Sequence, residues 1–275
     1  MPVINTNVNA LFSQNALKSN SRTLSSAMEQ LSTGQRINSA KDDAAGLAIT
    51  NTMTASIRGL SQAVRNANDG ISMAQTAEGA MIEQTNMLQR MRELAVQASS
   101  ATYNSAQQGY LNSEFQALSL QIDNIATQTT WNGDKLMDGL HGPTTDGKYD
   151  ILVGAMGTEK ITVTIDATTK TALGLAGDIT SSSNAATAIT NIDLALGVIN
   201  NARAKLGASI NQLTYASDNL SNVVQNTTAS RSQILDTDYA TATTKLASSQ
   251  IIAQAATAML AQANQSQQSV LALLK

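Results

Sequence analysis

The sequence predicts a mainly α-helical protein, with long antiparallel coiled-coil helices from both termini forming a rod and a small β-hairpin region in the middle. Three observations support this fold class. Proline, the strongest helix breaker, occurs only at positions 2 and 143, so residues 3–142 and 144–275 are free of it. Apolar residues recur at alternating spacings of three and four along both arms, as in coiled coils. Glycines cluster in the centre, between Gly133 and Gly157.

The N-terminal arm contains the longest repeat. Its apolar series predicts one helix from Ile57 to Ala95. Asn68-Asp69-Gly70 is a turn signal within this range, yet the seven-residue phase continues through it, so we predict an uninterrupted helix. Residues 99–105 then predict a break, and a further helix is expected over about residues 106–127.

The C-terminal arm carries two stripes that differ in phase. The first runs from Ile189 to Val224, and the second starts at Tyr239, one residue out of register. Such an offset separates two packing units, so we predict a break at residues 235–238.

A shorter stripe precedes the long helix at the front of the chain. Leu17, Leu24 and Leu31 recur every seven residues, and Ser32-Thr33-Gly34 ends the pattern. A single amphipathic helix cannot bury its own apolar stripe. We therefore expect this segment to pair with the C-terminal stripe and to leave apolar surface for other copies.

The centre of the chain alternates as a β-hairpin does. Tyr149, Ile151 and Val153 form one alternating series, and a second series follows after residues 154–160, with Ile161 and Val163. An isolated hairpin is marginally stable in water. We predict a hairpin at about residues 149–165 that packs against the helices.

Composition excludes several classes of function. The absence of cysteine removes disulfides, thiolate metal sites and cysteine nucleophiles, and a single histidine, His141, provides no histidine cluster. A net charge of −3 gives no electrostatic reason to bind nucleic acid. No apolar run approaches membrane-spanning length, and the first residues lack the pattern of a cleaved secretory signal. We expect no cofactor, no nucleic acid and no membrane partner.

Asp42 and Asp43 are the nearest approach to a catalytic pair. Neighbouring residues on a helix point about 100° apart, so the two carboxylates do not converge. Ser39 with Asp42 is instead typical of a capping box that starts the next helix. The sequence therefore predicts a protein that is not an enzyme, which makes a hydrolase the least favoured function.

Five segments taken together resemble bacterial flagellin, and the resemblance covers nearly the whole chain. They are RINSAKDDAAGLAI at 36–49, RNANDGIS at 65–72, LQRMRELAVQ at 88–97, WNGDKL at 131–136 and ARAKLGA at 202–208. The resemblance implies a structural subunit that self-assembles into the flagellar filament used for motility. It also implies a short form, because the variable outer domains of the family are missing.

The same resemblance implies domains, partners and a location. It predicts an inner filament-core domain from residues 1–40 plus 239–275, disordered in the monomer, and an outer helical domain from residues 41–238 with the hairpin. Partners are other copies of the chain, the flagellar cap and hook-junction proteins, and an export chaperone. The subunit would leave the cell unfolded through the flagellar type III export apparatus and lie in the extracellular flagellum. The alternative is a hook–filament junction (hook-associated) protein.

Two groups of residues follow from the resemblance and the stripes. The first is a patch for filament contacts and for the vertebrate Toll-like flagellin receptor, formed by Gln89, Arg90, Leu94, Gln97 and Glu114. Leu118 stands where recognised flagellins often carry arginine. Because a short connection makes the two helices antiparallel, Arg90 and Glu114 can share one exposed patch. The second group packs in the filament core and comprises Leu17, Leu24, Leu31, Leu246, Leu260, Val270, Leu271 and Leu274.

Overall fold

The computed structural model describes residues 6–140 and 146–272, with side chains up to residue 266. These residues form helices α1 (Val8–Thr33), α2 (Ala44–Ser99), α3 (Ser105–Gln128), α4 (Ser182–Leu235) and α5 (Tyr239–Ala272). The strands are β1 (Thr130–Trp131), β2 (Asp134–Lys135), β3 (Lys148–Leu152) and β4 (Lys160–Thr164). The predicted fold class, mainly helical with a small hairpin, is confirmed. None of the described helices combines the length and hydropathy needed to cross a bilayer.

Most helix boundaries lie where the sequence predicts them. Helix α1 ends at Gly34, whose positive φ of 71° lets its N–H donate to the carbonyl of Gln30. Helix α2 continues through residues 68–70, and its 56 residues extend beyond the predicted span at both ends. The break at residues 235–238 is confirmed, since α4 ends at Leu235 and α5 begins at Tyr239.

The predicted capping box at the start of α2 is wrong. The Ser39 hydroxyl and N–H both donate to the carboxylate of Asp42, which closes a local turn before the helix. The next carboxylate caps the helix: Asp43 Oδ1 accepts from the N–H of Gly46 at 2.8 Å. The cap therefore lies closer to the first helical residue, Ala44, than the sequence pattern indicated.

Contacts between residues divide the chain into two compact units. Residues 1–55 and 226–275 form one unit, called the terminal unit, and residues 56–225 form the other, called the central unit. The borders fall within α2 and α4. The predicted domain limits at residues 40 and 239 lie in the connection between α1 and α2 and at the first residue of α5, and they stay a prediction.

Helices α1 and α5 of the terminal unit pair in antiparallel fashion. Asn7 Nδ2 donates to the carbonyl of Ala263 at 3.2 Å, and Asn20 Nδ2 donates to that of Ser249 at 2.7 Å. Asn20 and Ser249 are buried, and the hydrogen bond satisfies the amide where water has no access. Small buried residues such as Ala27 allow the two backbones to approach closely.

The two connections of the terminal unit are bonded to each other. The N–H of Arg36 donates to the carbonyl of Leu235 at 2.7 Å, and the N–H of Thr237 donates to that of Gly34 at 3.0 Å. The guanidinium of Arg36 also donates to the carbonyl of Ile234. The bonds from Arg36 satisfy two carbonyls that the end of α4 leaves without a helical partner.

The central unit is a bundle of α2, α3 and α4. Gln84 Nε2 donates to the carbonyl of Ile122 at 3.2 Å, and Gln108 Nε2 donates to that of Ala98 at 3.0 Å, so α2 and α3 run antiparallel. The core consists of side chains from all three helices. Its largest buried members on the helices are Met81, Leu88, Met91, Leu94, Phe115, Ile122 and Ile192.

The central hairpin is confirmed, with β3 and β4 paired antiparallel and Ile151 opposite Ile161. It packs on α2 as predicted. Ile151 lies against Gly70, where an added Cβ would be 2.9 Å from its Cγ1, and Asn66 Nδ2 donates to the carbonyl of Leu152. A second hairpin, β1–β2, was not predicted. It turns at Asn132 and Gly133, which both have positive φ.

Candidate functional site

Arg90 on α2 and Glu114 on α3 meet directly on the surface of the central unit. Arg90 Nε and Nη2 donate to Glu114 Oε1 at 3.0 and 2.9 Å, and Nη1 donates to Glu93 Oε2 at 3.0 Å. These hydrogen bonds raise the pKa of the Arg90 guanidinium above its ordinary value, and the bond to Glu114 has the largest effect. The side chains of Arg90 and Glu114 are 50% and 46% exposed, so the ion pair is accessible from solvent.

The other residues predicted for this patch divide between surface and core. Gln89 and Gln97 are exposed, and Gln97 Nε2 donates to the hydroxyl of Tyr103 at 3.0 Å. Leu94 is different, because only 1% of it is exposed. It follows Met91 by three residues and therefore lies on the buried stripe of α2. Leu94 supports the patch from beneath instead of forming its surface, which corrects the sequence prediction.

Leu118 also lies partly in the core. It is half-buried and packs against the buried residues of the central unit. An aliphatic side chain at this position of α3 therefore contributes packing as well as surface. Glu93, which the sequence prediction omitted, completes the charged cluster, and its spacing of three from Arg90 on one helix was the available signal.

The residues predicted for the filament core lie on the terminal helices. Leu17, Leu24 and Leu31 of α1 and Leu246 and Leu260 of α5 are half-buried. Two helices alone cover each stripe from one side only, which leaves the other side of these leucines open. Val270 and Leu271 lie on α5, but their side chains are outside the described residues, as is the whole of Leu274.

Large apolar side chains stand exposed on the terminal helices. Phe12 is 77% exposed on α1, and Ile251 is 66% exposed on α5. Further exposed apolar residues on the same two helices are Val8, Leu11, Met28, Ile252 and Met259. Phe12 and Met259 line a groove of about 340 Å³ between α1 and α5. Exposed apolar side chains that line a groove between two paired helices mark an interaction surface.

The acidic pair at the start of α2 has a local structural use. A hydrogen bond from the Ser39 hydroxyl lowers the pKa of Asp42, and Asp43 caps the helix through Gly46. Their carboxylates bond different groups and do not form a shared site. No set of metal-binding side chains comes together in residues 6–140 and 146–272, and His141 lies outside them.

The fold and these surfaces define a class: helical proteins whose two terminal segments pair and leave apolar side chains exposed. Residues 4–141 match the bacterial flagellin N-terminal helical region, and residues 189–274 match the bacterial flagellin C-terminal helical region. The chain belongs to the bacterial flagellin family.

Full-length relatives agree with this assignment. The flagellin of Halalkalibacterium halodurans is 44% identical over 276 residues, which cover 99% of this chain and all of the relative. The flagellin of Bacillus subtilis is 41% identical over 302 residues, and the match covers 99% of each chain. Flagellin A of Vibrio cholerae is 35% identical over a 376-residue alignment that covers 99% of both chains, so this protein is a short flagellin.

Solved structures share the fold. The crystal structure of Bacillus cereus flagellin is 31% identical with a TM-score of 0.51, covering 57% of this chain and 88% of that one. A putative flagellar hook-associated protein from Vibrio parahaemolyticus has a TM-score of 0.58 over 71% of this chain and all of that one. Its identity is 11%, so it shows a common fold alone. The chain is therefore a structural subunit of the flagellar filament, a homopolymer that lies outside the cell.

Proposed function

We propose that the terminal unit holds the filament together by burying the exposed apolar side chains of α1 and α5 between copies of the chain. The observation that supports this is the set of exposed apolar side chains on those two helices, of which Phe12 is the most exposed. The half-buried leucines of α1 and α5, together with Val270, Leu271 and Leu274 at the end of the chain, would be covered in the same assembly.

A substitution at Phe12 tests this proposal. Phe12→Gln removes an exposed ring, so the monomer should keep its fold while assembly weakens. Burying such a side chain stabilises by about 1.5–3 kcal/mol, which corresponds to roughly a 10- to 150-fold rise in the critical concentration for polymerisation. Phe12→Leu is the matched control, because it keeps an apolar side chain. Equal critical concentrations for parent and Phe12→Gln would contradict the proposal.

The proposed function includes export and accessory partners. The subunit leaves the cell unfolded through the flagellar type III export apparatus, escorted by a chaperone, and is added beneath the cap beyond the hook-junction proteins. The lack of cysteine supports this route, since no disulfide can form before or during transit. Deleting the export apparatus should retain the chain inside the cell, detected by fractionation and immunoblotting.

The Arg90 patch is proposed as a surface that both the neighbouring subunit and the vertebrate Toll-like flagellin receptor use. Arg90 is held in place by two carboxylates, and a fixed arginine is a frequent hot spot of an interface. Arg90→Ala should lower receptor signalling by the purified monomer and reduce motility. Arg65→Ala is the control, because Arg65 is exposed on the same helix and bonds only Gln62 among the described side chains. Unchanged signalling by Arg90→Ala would refute the receptor assignment but not the filament.

Leu118→Arg and Leu94→Ala separate surface effects from core effects. Leu118→Arg should increase receptor signalling if a missing arginine at this position weakens recognition. Leu94→Ala opens a cavity in the core, so it should lower stability by about 2–5 kcal/mol whatever its effect on signalling. Thermal unfolding measured beside the reporter assay distinguishes the two effects.

The alternative role, a hook–filament junction protein, has only the shared fold with the hook-associated protein behind it, and at 11% identity that fold does not favour the role. The two roles predict different copy numbers. A filament subunit dominates purified flagella by mass, whereas a junction protein is present in only a few copies per flagellum. Quantitative mass spectrometry of sheared flagella decides between them.

A further inference from the structure

A groove in the terminal unit is lined by three cationic side chains from three parts of the chain. Arg22 lies on α1, Lys41 in the connection between α1 and α2, and Lys245 on α5. The groove has a volume of about 560 Å³. The remaining lining residues are Ser21, Thr23, Ser25, Ser26 and Glu29.

These three cations form no ion pair among the described residues, although Lys41 lies close enough to the adjacent Asp42 to act on it electrostatically. All ion pairs found among the described residues lie in the central unit. Examples are Arg92 with Asp193 at 2.8 Å and Lys205 with Asp166 at 2.8 Å. Arg22, Lys41 and Lys245 are exposed. Glu29 lines the same groove, so three cations against one carboxylate leave an excess of positive charge there, which attracts an anion that enters the groove.

The two units also carry net charges of opposite sign. The terminal unit has seven Lys and Arg against five Asp and Glu, and the central unit has ten against fifteen. Three exposed carboxylates of the central unit, Asp69, Glu83 and Asp218, have no ion pair or hydrogen bond among the described residues. The chain thus offers unpaired cations in one unit and unpaired carboxylates in the other.

We propose that this basic groove binds carboxylates of residues 56–225 on a second copy of the chain. The inference rests on the proposed self-assembly and adds a polar contact to the apolar one on α1 and α5. Complementary charge fixes register and speeds the encounter of partners more than it raises affinity. The groove would therefore select the correct neighbour during assembly, while apolar burial supplies most of the stability.

Cross-linking of assembled filaments tests the contact directly. Filaments are grown from equal amounts of ¹⁴N- and ¹⁵N-labelled monomers and treated with a carbodiimide, which joins lysine amines to carboxylates that touch them. We expect mixed-isotope peptides that link Lys41 or Lys245 to an Asp or Glu within residues 56–225. Filaments in which neither lysine forms such a link would overturn the proposal.

A charge-neutral variant tests the contribution to assembly. The triple variant Arg22→Gln, Lys41→Gln, Lys245→Gln should raise the critical concentration about tenfold at low salt, because each exposed ion pair changes an equilibrium by roughly 1.5- to 5-fold. Its polymerisation should also lose most of the dependence on NaCl that the parent shows. Lys18→Gln is the control, since Lys18 is exposed on α1 but does not line the groove.

The outcomes separate this proposal from the proposed function. If the triple variant polymerises at the parent's critical concentration with the parent's salt dependence, the groove is not a contact, while filament formation stands. If the parent itself does not polymerise, the self-assembly proposal fails, and the groove proposal fails with it.

Discussion

Two glycines of α2 provide a matched pair that tests how the central hairpin packs. Gly70 lies under β3: a Cβ added there would be 2.9 Å from Ile151 Cγ1 and 3.2 Å from Leu213 Cδ1. Gly79, nine residues further along the same helix, has nothing within 4 Å of such a Cβ. Alanine at either position removes the cost of a glycine inside a helix, so the two substitutions differ in packing alone.

The magnitudes follow from these distances. Gly79→Ala should stabilise the central unit by about 1 kcal/mol, the ordinary difference between glycine and alanine in a helix. Gly70→Ala gains the same amount but forces a core side chain to move, and such overpacking costs about 1–3 kcal/mol. The two variants should therefore differ by about 1–3 kcal/mol, with Gly79→Ala melting at the higher temperature, by roughly 2–4 °C per kcal/mol.

Tryptophan fluorescence is the suitable assay. Trp131 is the single tryptophan of the chain and packs against the core of the central unit. Its emission during urea unfolding therefore follows this unit without a signal from α1 or α5. If Gly70→Ala stabilises as much as Gly79→Ala, Ile151 does not press on α2, and the described packing of the hairpin is incorrect.

Two further predictions concern the terminal unit. In the free monomer, trypsin should remove residues from both ends, within 1–40 and 239–275, before it cuts α2, and filaments should protect these segments; equal protection in monomer and filament would contradict this. The second concerns acid. Hydrogen bonds, of which the one from the Thr241 side chain has the largest effect, lower the pKa of Asp238 below its ordinary value of 3.8. The ionised carboxylate therefore stabilises the fold above pH 3.8, and this contribution is lost as the pH falls through the lowered pKa. Asp238→Asn keeps the helix cap without the titration, so the melting temperature of its filaments should fall less between pH 6 and 2.5 than that of parent filaments; identical curves would exclude a role for Asp238.

The repeats in the central unit were predictable because three helices enclose them. The series Ala67, Ala74, Met81 and Leu88 is fully buried, as its seven-residue spacing predicts. A strict spacing keeps one side of each helix facing its neighbours, and neighbours on two sides complete the burial. The turn signal at residues 68–70 had no effect, because a packed helix overrides local preference.

Other features could not be read from residue types. Leu94 was assigned to the contact patch by resemblance, although its phase places it in the core. The hydrogen bond of Asn20 to Ser249 depends on the register between α1 and α5, which no local pattern contains. The guanidinium of Arg36 likewise donates to the carbonyl of Ile234, which lies far away in the sequence. Asn132-Gly133, by contrast, is a recognisable signal for a two-residue hairpin turn that the prediction overlooked.

The most direct test of self-assembly is electron microscopy of the purified chain. Monomers seeded with short filament fragments and imaged in negative stain should grow into long helical filaments. A chain that lacks residues 270–275 should keep the helical content of the parent by circular dichroism but should not extend the seeds. A full-length chain that stays monomeric, or a truncated chain that elongates normally, would contradict the account.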